Sequence, residues 1–182
     1  MQNNFSNRIL TVGIAAMILL IISSSCDTTP PVKPPPPDTM GCTVTGDVSV
    51  NYISKNGVMN KNSGPFQLDQ FAFSSYANID GESYDLWISI FFDELTEMPM
   101  TFPVVMRNDT MQYNQSWIAF VVGINSKNKM EFWADSGTVY IDSLILGVSR
   151  NYIKARFNCR AADTSSKEIV ISEGWAEINR KF

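Results

Sequence analysis

The chain contains no histidine. A Ser-His-Asp triad, a Cys-His pair and every His-ligated metal site are excluded at the outset, and with them much of nucleophilic and zinc chemistry. Positive charge is scarce as well: 14 Lys and Arg face 18 Asp and Glu, for a formal charge of −4 and a pI near 4.8. Neutralising a phosphate backbone takes a broad basic footprint, so nucleic acid is not an expected partner. No stretch holds a 3.6-residue apolar pattern for three turns, and no internal repeat is present, which argues against helical and solenoid architectures. The residues leave no catalytic group, no metal site and no cofactor to assign, and a non-enzymatic role is the expectation.

One long apolar run is present, Ile9 to Ile22 (ILTVGIAAMILLII), preceded by a segment whose only side-chain charge is Arg8 and followed by Ser23, Ser24, Ser25 and Cys26. That order is a secretory signal peptide in three parts. The run would make a helix of roughly 21 Å, short of the roughly 30 Å hydrocarbon core of a bilayer, so a permanent transmembrane helix is the weaker reading. The small residues before Cys26 resemble the lipobox of bacterial lipoproteins, although Ser23 stands where Leu is usual. The resemblance implies cleavage after residue 25, lipidation of Cys26, and attachment to a membrane through that lipid. The implied address is the cell envelope, foremost the outer membrane, on its periplasmic face or at the cell surface. The plainer alternative is an ordinary signal peptidase site with Cys26 as a simple thiol.

Residues 26–39 form the expected tether. Asp27 to Thr39 reads DTTPPVKPPPPDT, and most of the chain's nine prolines lie between Pro30 and Pro37. Such a segment cannot bury a core and favours polyproline II, reaching on the order of 40 Å at about 3.1 Å per residue. A stalk is expected here rather than a ligand for an SH3-like partner.

Residues 40–182 remain for one domain, enough to bury about two-thirds of the unfolded chain's surface. Their apolar residues alternate: Val48, Val50 and Tyr52; Phe71 and Phe73; Leu86, Ile88, Ile90 and Phe92; Ile118, Phe120, Val122 and Ile124; Val139 and Ile141; Ile153, Ala155, Phe157 and Cys159; Ile169 and Ile171. Period two is the mark of strands. Turn chemistry separates them at Lys55-Asn56-Gly57, Asp80-Gly81, Arg107-Asn108-Asp109, Ser126 to Lys129 and Asp135-Ser136-Gly137. The spacing predicts an all-β domain, an antiparallel β-sandwich or partly open barrel of about eight to ten strands. At most one helical turn fits, at Asp93 to Met100 before Pro99. The C-terminal run from Ser136 to Ile178 resembles the ending of small lipoprotein domains of unknown function from gut-type Gram-negative bacteria. The resemblance implies a β-sandwich and an envelope address, and supplies no chemistry.

Cys42 and Cys159 form an even pair once Cys26 is set aside, and either a disulfide or two buried thiols is compatible with their pattern. Tyr152, Lys154, Arg156, Asn158 and Arg160 alternate with the apolar set of their strand. They make a basic stripe that could bind an anionic glycan or lipid headgroup, or instead pair with Glu168, Glu173 or Glu177 on the next strand. Trp87 and Trp117 are out of phase with their apolar neighbours, so both face away from that core, either to bind a sugar or to pack under a loop. Asn78 to Glu82 has a faint likeness to an oxygen-rich calcium loop, without the rest of that spacing. Asp142-Ser143-Leu144 and Asp109-Thr110-Met111 resemble a short O-glycosylation motif of exported gut-bacterial proteins, as do two copies in the tether. The expected role is a binding or structural component of the envelope with a glycan or protein partner. The alternative is a carbohydrate-binding or carboxylate-dependent glycan-active protein.

Overall fold

A computed structural model of the chain describes residues 38–63, 69–93, 97–107 and 112–181. The signal segment, Cys26 and the proline tether lie outside them, as does the second half of the Arg107-Asn108-Asp109 turn. Alternation becomes ten strands among the described residues: β1 (Thr39–Gly46), β2 (Val50–Ser54), β3 (Val58–Ser63), β4 (Asp69–Ile79), β5 (Glu82–Phe91), β6 (Met100–Pro103), β7 (Gln115–Val122), β8 (Met130–Leu146), β9 (Arg150–Ala162) and β10 (Glu168–Lys181). No helix occurs among them. Asp80 and Gly81, at φ 54° and 86°, close β4 onto β5 with the two left-handed residues that a type I′ hairpin needs. Asp163 closes the β9–β10 turn by accepting the Ser165 and Lys167 amides at 2.8 Å each.

The strands form one antiparallel sheet in the order β2-β1-β10-β9-β8-β7-β5-β4-β3, with β6 alongside β8. This is the partly open barrel rather than two facing sheets: the single sheet curls into a half-barrel around its own apolar face. Side chains fasten the curl. Tyr52 Oη on β2 donates to Ser75 O on β4 at 2.5 Å, and Ser54 Oγ donates to Tyr76 O at 2.6 Å. Inside, Phe71, Phe73, Leu86, Ile88, Ile118, Phe120, Phe132 and Ile153 are all at most 1% exposed. At about 25 cal/mol per Å², burying such side chains supplies most of the drive to fold.

Two expectations change. Asp135-Ser136-Gly137 is not a turn between strands but a bulge inside β8, where the register against β9 shifts between Ala134 and Ser136. The extra residue moves the inward set from Phe132 and Ala134 to Val139 and Ile141, so β8 runs on across the barrel. Only glycine fits at 137, because its φ is 142° and a Cβ would stand 2.2 Å from Asn158 O. Ile124 also leaves the core set: Gly123, at φ 70°, donates its amide to Ser83 O at 2.8 Å. That ends β7 at Val122 and turns Ile124 outward.

Candidate functional site

Inward alternation on β4, β5, β7 and β8 dictates what stands on the outer face. Register sets those residues in rows across the strands. Tyr76, Asp85, Val121 and Glu131 make one row; Ser74, Trp87, Ala119 and Trp133 the next; Ala72, Ser89 and Trp117 the third. Residues paired in this way point to the same side of a sheet, roughly 4.8 Å apart per strand. The backbones of Trp87 and Trp133 are therefore roughly 10 Å apart, with only the methyl of Ala119 between them. Small residues form a floor and indoles form walls.

The result is a half-open groove of about 520 Å³, within the range of small-ligand sites. Trp117 is 8% exposed and packs with Phe91, Ala119, Val105 and Trp133 in a cluster separate from the barrel core. Its ring lies 5.6 Å from that of Trp133 at 48°. The chain after β6 is drawn over this face by hydrogen bonds from Val104 N to Gly137 O and from Val105 N to Ser116 O. It delivers Arg107, whose guanidinium sits 5.3 Å from the centroids of both rings, an attractive cation–π arrangement. Trp87 is 46% exposed, and its Nε1–H donates to the Asp85 carboxylate, which fixes the edge of the ring and leaves a face toward the groove. Gln70 Nε2 donates to Ser89 Oγ at 2.9 Å below. Burial pushes the Asp85 carboxyl above its ordinary value, against the opposing pull of the Trp87 N–H, the Leu86 amide and Lys129. Glu131 is ion-paired with Lys129. A lining of stacking rings interleaved with donors and acceptors is suited to a polyhydroxylated ligand with apolar ring faces, which is what a sugar is.

No protein-family model matches the chain, and no curated protein or solved structure matches it either. The site is therefore argued from its own geometry.

The basic stripe on β9 lies on the outer face, as its alternation predicts, and it is laced to neighbouring strands. Arg156 forms a bidentate pair with Asp142 on β8, at 2.8 and 3.1 Å, which holds the Asp142 carboxyl below its ordinary value. Arg160 Nη2 meets both Glu168 oxygens at 2.7 Å, and Tyr152 Oη donates to Glu177 Oε1 at 3.4 Å. Lys154 stands opposite Glu177 in register. The expected partners Glu168 and Glu177 are there, and Asp142 is a further one that spacing does not reveal. Asp142-Ser143-Leu144 lies within β8.

Cys42 on β1 and Cys159 on β9 are buried free thiols, each pushed up to about 12 by burial. β10 runs between their strands. Two strand spacings come to roughly 10 Å, against the roughly 4.4–6.8 Å between Cα atoms that a disulfide spans. Trp175 lies away from the groove, its ring flat over Gly41, where a Cβ would be 2.9 Å from the indole. The Asn78–Glu82 segment is the β4–β5 hairpin turn, and no group of three or more potential metal ligands occurs among the described residues.

Phase alone brings Trp87 and Trp117 to the outer face. Trp133 carries the same signal, since Phe132 and Ala134 flank it. Arg107 has none, because it reaches the groove from a loop.

Proposed function

We propose that the chain is a lipid-anchored envelope protein whose half-barrel is a non-catalytic glycan-binding domain, with the outer groove as its binding face. The single observation that carries this reading is Trp87, a half-exposed indole fixed by Asp85 beside two further tryptophans and a set of polar side chains. An indole face stacks on the C–H face of a pyranose, while carboxylate, amide and hydroxyl groups around it take the sugar hydroxyls. The lipobox-like Cys26 and the proline tether support display on an envelope membrane, in keeping with the resemblance to small bacterial lipoproteins. The test is a screen of immobilised glycans and envelope polysaccharides with the full chain kept in detergent, run beside Trp87→Ala. Binding that the variant lowers at least about tenfold, near 1.4 kcal/mol, supports the reading. Absence of any bound glycan, or equal binding by both proteins, overturns it.

A second reading is favoured by one placement, Asp85 and Glu131 in one row with Val121 between them. Their backbones lie two strand spacings apart, roughly 10 Å, and an inverting glycosidase sets its two carboxyl groups roughly 6.5–9.5 Å apart. Against it, Asp85 is occupied by the Trp87 N–H and Glu131 by Lys129. Release of reducing ends from a bound glycan, lost in Asp85→Asn, would replace the non-catalytic reading by this one.

A further inference from the structure

Resting on the glycan-binding reading, the geometry points to the class of sugar: we infer that the groove takes an acidic oligosaccharide, carboxylated along its chain, rather than a neutral one. Two cations carry the argument. Arg107 lies over Trp117 and Trp133 and has no carboxylate within ion-pairing distance among the described residues. Arg156, Arg160 and Arg180, by contrast, each face a carboxylate. Beyond Trp133 a second depression of about 670 Å³ continues the surface past Lys129 and Glu131 to the β9–β10 turn. There the Lys167 ammonium contacts the Met130 thioether at 3.6 Å and has no carboxylate within ion-pairing distance among the described residues.

Arg107 and Lys167 thus flank Trp133, one in each depression, on a chain whose net charge is −4. A guanidinium and an ammonium on either side of an indole, neither ion-paired among the described residues, offer an anion two points of attachment. A planar guanidinium held against indoles keeps its N–H fork free for a carboxylate. The acids of the lining are already engaged: Asp85 takes the Trp87 N–H, Glu131, which borders both depressions, takes Lys129, and Asp163 takes the Ser165 and Lys167 amides, so Asp85 and Glu131 present their remaining lone pairs as acceptors for hydroxyls. A uronic-acid polymer supplies both needs in every residue, a carboxylate for Arg107 or Lys167 and hydroxyls for Asp85 and Glu131. Two joined depressions give room for more than one sugar unit.

The experiment compares two probes of equal length, a galacturonic acid tetramer and its carboxyl-reduced galactose counterpart, on the full chain in detergent at low and high salt. Wild type should bind the acidic tetramer at least about tenfold more tightly, and the preference should shrink as salt rises. Arg107→Gln should weaken the acidic tetramer at least about tenfold more than the neutral one and so remove most of the preference, and Lys167→Gln a smaller part of it. Arg107→Lys, which keeps the charge but loses the fork, should lie between. Trp87→Ala should weaken both tetramers alike. Equal affinity of wild type for the two tetramers, or a preference that survives in both cation variants, overturns this inference and leaves glycan binding standing. Failure of both tetramers to bind overturns this inference, and a blank glycan screen besides overturns the reading beneath it. Melting curves of the variants guard against loss of fold: a binding loss accompanied by a fall in Tm of more than a few degrees for both glutamine variants counts against the inference.

Discussion

Asp85 and Asp142 are carboxylates on one protein that respond to pH in opposite senses, and the difference lies in what each touches. Asp142 holds a bidentate Arg156, which lowers its pKa. Its contribution to stability is present above the ordinary carboxylate pKa and is lost as pH falls through the lowered value. Asp85 is raised, burial outweighing the Trp87 N–H. The folded state holds that proton to higher pH than the unfolded chain does. Its ionised form is therefore a net cost at neutral pH, one relieved as pH falls toward the raised value. Asparagine at 85 keeps an acceptor for the indole and removes the charge. Asp85→Asn should melt slightly above wild type at pH 7, by about 1–3 °C, with the gap closing in acid as wild-type Asp85 protonates. A variant that melts lower at pH 7 would show that the charge on Asp85 holds Trp87 in place.

At the scale of strands, the bulges decide which face a side chain takes. In β8 the register shifts between Ala134 and Ser136 and again between Ile141 and Ser143, and in β10 between Ile171 and Gly174. Each shift exchanges inward and outward residues. Gly137 is where this can be tested, since alanine there meets both an unfavourable φ and backbone atoms closer than 3 Å. Gly137→Ala should destabilise the domain by about 2–3 kcal/mol, read as a fall of roughly 5–10 °C in Tm. An unchanged Tm would mean that the strand can realign without the bulge. The same bulges explain what sequence leaves dark. Clean alternation from Leu86 to Ile90 and from Ile118 to Val122 makes the strands, the inward set and the outward placement of Trp87 and Trp117 legible without coordinates. Asp135-Ser136-Gly137 reads as a turn because a bulge and a turn draw on the same residues. The groove is legible only in part for another reason: its rows join residues from four strands, and register between strands is not a local property. That Ala119 leaves a gap between Trp87 and Trp133 follows from pairing, and that Arg107 caps Trp117 follows from a loop path set by hydrogen bonds to Gly137 and Ser116.

For the whole molecule, the half-barrel has an apolar core of its own, and among the described residues no buried side-chain polar atom lacks a hydrogen-bond partner. Tyr52 and Ser54 fasten its curl to β4, and the groove is made from β3 to β8 with the loop that carries Arg107. All of these features are built from residues within 38–181. Anchor and binding face are then separable by chemistry: thioether-linked and amide-linked acyl chains at Cys26 would hold the protein at a membrane, each buried CH₂ adding about 0.8 kcal/mol. Cys26→Ala should abolish partitioning into the detergent-rich phase and recovery with membranes. It should leave unchanged a β-dominated circular dichroism spectrum, the Tm, and the affinity of the Trp87 groove for whichever glycan the wild type binds. Equal partitioning of variant and wild type would remove the lipid anchor from the proposal and leave the glycan site untouched. A variant that loses binding along with the membrane would show instead that display at the surface, and not the groove alone, creates the affinity, as multivalent presentation on a membrane can.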